Sequence, residues 1–250
     1  MYSLLLNGIS LQAISKDIVI VDIGEKPLLP TLITAQVDAY ARLVGTNYPS
    51  KEIVVSFLIT QNDPTARMRI LQDITRLVSR GGRLALSTRP NQVATVQVSR
   101  FPCLVSAKQW TNTFDMAFTA TYRPFFEDEF PTRAYGVLPA HESTPLFLCP
   151  KGSIGARLEA TLHLQQGVLT TCSFQANDQY LHFRALHCTK QLIIDYDDHG
   201  FLRVTGDGHS VYPQREGADE LWLACQKETM VCVQVDAPCH AKLSARGLYW

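Results

Sequence analysis

The chain carries little charge, and what it carries cancels. Lys and Arg number 23, Asp and Glu also 23, and charged residues make up 18% of the total. Without a net field to attract nucleic acid or an anionic membrane, neither is expected as a partner. Near-neutral charge suits a protein held inside an assembly. Long apolar runs are missing too: nothing approaches the ~20 residues that a membrane-spanning helix needs. The opening "MYSLLLNGISLQAIS" is apolar but has no basic leader and no small-residue cleavage site. It is therefore not read as a signal peptide, and the chain is expected to be soluble and cytosolic when made. No repeat of 20–50 residues and no low-complexity tract is visible.

Signatures of chemistry are equally sparse. There is no phosphate-cradling glycine loop, and "GDGHS" at 206–210 has the ingredients of a nucleophile elbow in the wrong order. The seven cysteines, Cys103, Cys149, Cys172, Cys188, Cys225, Cys232 and Cys239, form no CxxC pair. Most lie in apolar strand-like runs, so buried or half-buried thiols in a reduced compartment are expected rather than a zinc site. "DYDDHG" (195–200) gathers three carboxylates and a histidine, but Asp and Gly there are what a hairpin turn requires. Glu127, Asp128 and Glu129 fall in an aperiodic segment and are expected to be solvated. The seven histidines are scattered. No catalytic residue, metal or cofactor is assigned, and the chain is not read as an enzyme.

What the chain does have is β pattern. "SLLLNGISL" reads as strand, Asn7-Gly8 turn, strand. "EIVVSFLIT" is a strong strand, and Phe114, Met116 and Phe118 alternate with polar neighbours as a half-buried antiparallel strand should. From "RLEATLHLQ" to "AKLSARGLYW", short strands follow one another at regular spacing, pointing to an antiparallel sandwich. The Pro- and aromatic-rich segment after "TATYR" has no period, and a linker is placed near Tyr135–Thr144.

One helix interrupts the strands, at about 64–80. Asp63 is placed as N-cap, Pro64 at the first helical position and Gly81-Gly82 at the stop. Met68, Leu71, Ile74, Leu77 and Val78 make an apolar stripe. Arg67, Arg69, Arg76 and Arg80 occupy the remaining circumference. They read as a solvated face or a contact for protein; without interleaved aromatics they do not read as a nucleic-acid site.

The order of these elements resembles the distal tail (Dit) proteins of long-tailed phages. The resemblance is carried by "GGRLALSTRPNQVATVQVSRF", "FDMAFTATYRPFFED", "LFLCPKGSIGARLEATLHLQ", "QLIIDYDDHGFLRV" and "KLSARGLYW", in order along nearly the whole chain. It implies a mainly β protein: residues 1–138 a ring-forming β-sandwich or barrel-like domain with one helix, and 139–250 a galectin-like antiparallel β-sandwich. It implies a homo-hexameric hub at the virion tail tip, made in the host cytoplasm. Such a hub joins the tail tube and tape-measure proteins to tail-tip or receptor-binding proteins. Arg69, Arg76 and Arg80 are then candidate subunit contacts. The alternative is a carbohydrate-binding module contacting host envelope polysaccharide through the second sandwich, with Trp222 and Trp250 as candidate sugar or docking contacts.

Overall fold

The computed structural model describes residues 2–26, 31–37, 40–47, 50–103, 112–120, 125–197, 201–218 and 220–249; for 31–37, 40–47 and 103 the backbone alone is described. Contacts divide the chain after Phe126 into two units, Met1–Phe126 and Glu127–Trp250.

The first unit contains β1 (Leu4–Leu6), β2 (Ile9–Ser10), β3 (Ile18–Glu25), β4 (Thr31–Val37), β5 (Tyr40–Asn47), β6 (Lys51–Ile59), α1 (Pro64–Val78), β7 (Gly82–Leu86), β8 (Gln92–Cys103) and β9 (Thr113–Ala120). β1 pairs with β2 across Asn7-Gly8, whose φ values of 53° and 79° are those of a two-residue primed turn. The 12-residue β8 serves two neighbours: its first half pairs with β7 and its second with β9. Register breaks after Val98 and Arg100 bend it between the two, as a strand that changes sheets must bend. β9 pairs with β6 and β6 with β3, while β4 and β5 form a hairpin with each other.

β6 alternates strictly, with Ile53, Val55, Phe57 and Ile59 wholly buried. Phe57 lies opposite Phe114 in register, and the two rings stack at 5.7 Å. The helix is capped as its sequence requires: the Asp63 carboxylate accepts from the Thr65 and Ala66 amides at 3.1 Å each. Its buried residues are Leu71, Ile74 and Val78, and it packs on β8. Met68, expected within the stripe, is exposed and Leu77 is only half-buried. At 100° per residue both lie about 90° from the centre of the buried trio. The exit is locked by Asn7, which donates from Nδ2 to the Gly81 carbonyl at 3.0 Å and accepts the Arg83 amide at 2.9 Å. A Cβ on Gly82 would overlap the Asn7 side chain, so a glycine with φ 128° is required there.

The chain crosses into the second unit at β10 (Phe126–Asp128). There follow β11 (Thr132–Leu138), β12 (Ser143–Leu148), β13 (Gly155–Leu164), β14 (Cys172–Ala176), β15 (Gln179–Phe183), β16 (Gln191–Tyr196), β17 (Leu202–Gly206), β18 (His209–Ser210), β19 (Arg215–Gly217), β20 (Trp222–Leu223), β21 (Thr229–Val235) and β22 (Cys239–Tyr249). One antiparallel sheet runs β18-β17-β16-β13-β22-β11, with β20 also on β13; the second runs β12-β21-β14-β15-β19. Their inward side chains, among them Leu158, Leu162, Phe174, Phe183, Val233 and Leu243, form one core.

The sequence-based boundary at 138/139 falls inside this unit, because Thr132–Leu138 pairs with β22 along its whole length. That strand hid itself by inverting the usual pattern. Its large side chains, Tyr135 and Val137, are 65% and 57% exposed, while Ala134, Gly136 and Leu138 face inward. Gly136 has to be small because Leu146 fills the space its Cβ would take.

Candidate functional site

The helix arginines divide by position. Arg67 lies on the buried side and donates through Nε and Nη2 to the Gln61 carbonyl at 3.2 and 3.0 Å, tying the loop before the helix. Arg69 and Arg76 are exposed and, at 100° per residue, lie within about 20° of each other opposite the buried trio; Arg80, in the turn after the helix, is exposed as well. Arg76 pairs with Asp73 at 3.1 Å, its side chain still 81% exposed. Such an exposed pair contributes little to stability, so this face is available for contact. Arg89 is not part of it. Its guanidinium grips Glu25 at 2.7 and 2.8 Å and lies 4.7 Å over the buried Phe126 ring.

Trp222 is half-buried and built into a stack. The Arg157 guanidinium lies 5.0 Å from its ring and 5.1 Å from the Tyr196 ring, with Glu220 3.1 Å from the Arg157 Nε. The Trp222 amide donates to Gln179 Oε1 at 2.9 Å, and Gly155 leaves room for the indole. One ring face is thus occupied from within the chain. Trp250 lies outside the described residues. Its neighbour Tyr249 is anchored: the hydroxyl donates to Asp128 Oδ1 at 2.8 Å, and Asp128 also accepts the Gly247 amide at 3.2 Å. Burial and then this carboxylate push the Tyr249 phenol well above its ordinary range. Asp128 is therefore not solvated as its sequence context suggested; it is 6% exposed and holds the last strand.

Two further acids, Asp207 and Asp236, serve loops. Asp207 accepts from the Thr189, Lys190 and Gln191 amides at 2.7–2.9 Å, and these hydrogen bonds hold it well below the usual carboxylate range. Asp236 clasps Thr170 and Thr171 in the same way. At 195–200, Asp197 accepts the Phe201 amide at 2.9 Å; residues 198–200 lie outside the described residues. Among the described residues no three His, Cys, Asp or Glu side chains gather as metal ligands. Cys172, Cys188 and Cys239 are buried, and burial raises their thiols, Cys239 to about 11. Cys149 departs from expectation: it is exposed, just past the end of β12, where the position after the buried Leu148 turns outward.

One feature escaped the sequence pattern. A groove of about 520 Å³ opens on the outer face of the five-stranded sheet, between the loop after β20 and the turn after β14. Gln175, Asn177, Lys227, Glu228, Thr229 and Met230 line it. The alternation of "TMVCVQV", with Val231, Val233 and Val235 buried, already turned Met230 outward; nothing local marked the residues it would meet.

No family model matches the sequence, and no curated protein matches it. Its fold, however, is that of proteins from phage tail tips. The SPP1 Dit (gp 19.1) protein, described as "a Paradigm of Hub Adsorption Apparatus in Gram-positive Infecting Phages", superposes with a TM-score of 0.66, covering 98% of this chain and 99% of that one at 11% identity. A chain of the phage P2 baseplate in its activated conformation with Ca superposes at 0.53, covering 98% and 97% at 8% identity. The same baseplate with Sr gives 0.52 with the same coverage and identity.

Proposed function

We propose that this chain is a structural hub protein of a phage tail tip, joining the tail tube to the host-recognition apparatus without catalysing a reaction. The observation that carries this reading is likeness of fold from end to end, over 98% of this chain and 99% of SPP1 Dit. A sandwich alone would say nothing about function, since many unrelated proteins share one. Two different β units in the same order, with neither chain overhanging the other, are far more restrictive.

In this reading the first unit forms a closed homo-hexameric ring, as symmetric oligomers close about an axis. The tail tube and tape-measure proteins meet this ring. The second, galectin-like unit is a platform on which tail-tip or receptor-binding proteins dock at the virion tip. The chain would be made in the host cytoplasm and incorporated there. The exposed Arg69, Arg76 and Arg80 cluster supports a subunit contact on α1, because the core leaves that face unused. The test is assembly. Light scattering coupled to size exclusion, with negative-stain imaging, should give six-fold rings, alone or with the tail tube protein. A chain that stays monomeric at high concentration and joins neither tube nor tape-measure protein would sink the proposal.

A further inference from the structure

Asn7 is the one asparagine of the chain that a glycine follows. That pairing is chemically labile, because a backbone amide with no side chain beside it is free to attack the asparagine side chain. Both residues are exposed, and nothing lies within 4 Å of the place where a Cβ on Gly8 would stand, so no neighbour blocks the reaction. What holds it back is the clasp at the helix exit. Asn7 Oδ1 accepts the Arg83 amide at 2.9 Å, Nδ2 donates to the Gly81 carbonyl at 3.0 Å, and the Asn7 backbone amide donates to the Arg83 carbonyl at 2.8 Å. Both ends of the side-chain amide are thus committed to residues 81–83. Its Cγ swings towards the Gly8 nitrogen only by giving up both bonds.

We infer that Asn7 is a site of spontaneous deamidation gated by this clasp, and that the reaction, once it has run, keeps the clasp from closing again. In the open turn the Gly8 nitrogen forms a bond to Asn7 Cγ and the Cγ–Nδ2 bond breaks. Nδ2 leaves as ammonia, carrying the proton that the Gly8 nitrogen gives up, and a cyclic imide remains. Water then opens the ring at either carbonyl. One product is aspartate; the other is isoaspartate, in which the main chain runs through Cβ and Cγ. Ammonia lost and water gained balance the step. Neither product restores the clasp. The aspartate has no Nδ2 donor for the Gly81 carbonyl and turns a carboxylate oxygen towards it instead, so that acceptor loses its partner. The isoaspartate lengthens the main chain, which the two-residue turn between Leu6 and Ile9 cannot absorb without breaking register. The damage falls on β1, whose Leu4 and Leu6 are wholly buried beside β7. The site stands whether or not the chain builds a ring.

The full-length chain should be held in mildly alkaline buffer, folded in one series and in denaturant in the other, with peptide mapping by mass spectrometry over time. In denaturant Asn7 should convert faster than any other asparagine of the chain. In the folded chain its conversion should be slower on the order of tenfold or more, since only the open clasp reacts. Gly82→Ala, whose methyl group would overlap the Asn7 side chain, should expel it and bring the folded rate towards that in denaturant. Asn7→Asp, which installs one product directly, should lower the unfolding transition of the first unit and leave that of the second in place. If Gly82→Ala does not fold, the wild-type comparison and Asn7→Asp still decide. The proposal fails if folded and denatured chains convert Asn7 at the same rate, or if another asparagine is faster in denaturant. It fails equally if a folded Gly82→Ala chain protects Asn7 as the wild type does, or if Asn7→Asp unfolds like the wild type.

Discussion

Glu25→Gln should unfold the first unit far more easily than a single surface change would. Lys51 begins the core-facing row of β6 with its side chain 4% exposed, and its ammonium sits 2.8 Å from Glu25 Oε2. Arg89 grips the same carboxylate, so one anion serves two cations, and both lie over the buried Phe126 ring at 4.9 and 4.7 Å. Removing the anion leaves Lys51 charged, buried and without its counter-ion, a change that costs about 3–5 kcal/mol in comparable buried pairs. For a unit of this size that corresponds to a fall of roughly 10–20 °C in its transition temperature.

The pH dependence carries the sign. Burial pushes the Glu25 carboxyl up, but hydrogen bonds from Arg89 and Lys51 outweigh this and hold it below its ordinary value. Its contribution is therefore fully present above about pH 4.3 and is lost as pH falls through the folded value. Lys51 is lowered by burial, which outweighs the hydrogen bond from Glu25. Without Glu25 it falls further, so the variant should regain stability as pH rises towards about 10, where a neutral amine costs less. Calorimetry, expected to resolve one transition per unit, reads both effects. Adding Lys51→Met to Glu25→Gln should restore at least half of the loss. A first-unit transition within about 2 °C of wild type for Glu25→Gln alone would refute the reasoning.

Other substitutions test the remaining assignments. Leu71→Asp buries a charge against β8 and should abolish the first transition, whereas Arg76→Glu should shift it by no more than about 0.5 kcal/mol and, at most, weaken ring assembly. Equal damage from both would mean that the faces of α1 are wrongly assigned. Gly247→Ala places a methyl group against the Lys151 carbonyl and the Asp128 carboxylate, so the second transition should fall while the first stays put. Asp207→Ala should speed amide exchange at Thr189, Lys190 and Gln191. In the wild type the same amides should keep their protection at pH 4 and lose it only as pH drops further, through the depressed Asp207 value. Uniform exchange across the sheet in both proteins would rule out the local clasp.

Most of the fold was legible because local rules and burial agree. Asp63, Pro64 and Gly81-Gly82 mark the helix with groups that satisfy its own ends, and the β6 alternation marks its face without help from elsewhere. Where legibility failed, the deciding partner is distant in sequence or the pattern is reversed. Lys51 looks like a solvated strand end until Glu25 and Arg89 are brought beside it. Trp222 looks like an open platform until Arg157 covers one face. β11 looks like a linker because its inward positions are small and its outward ones large. Met68 and Leu77 show the limit of counting threes and fours: both fit the spacing, but both lie beside the buried line rather than on it. The groove needed two distant stretches, 175–177 and 224–232, to meet and left no local trace beyond the outward turn of Met230.

The lock at the helix exit also sets a timetable for synthesis. β1 has no partner but its own short hairpin until β7 exists, and Asn7 cannot clasp Gly81 and Arg83 until both have been made. Leu4 and Leu6, wholly buried in the finished unit, must wait while some 80 further residues are translated. At typical elongation rates that is about 4–16 s with an apolar strand edge uncovered on the ribosome. Leu4 and Leu6 thus stay uncovered until β7 has been made, so crowded nascent chains are a stage at which this strand can pair with the wrong neighbour.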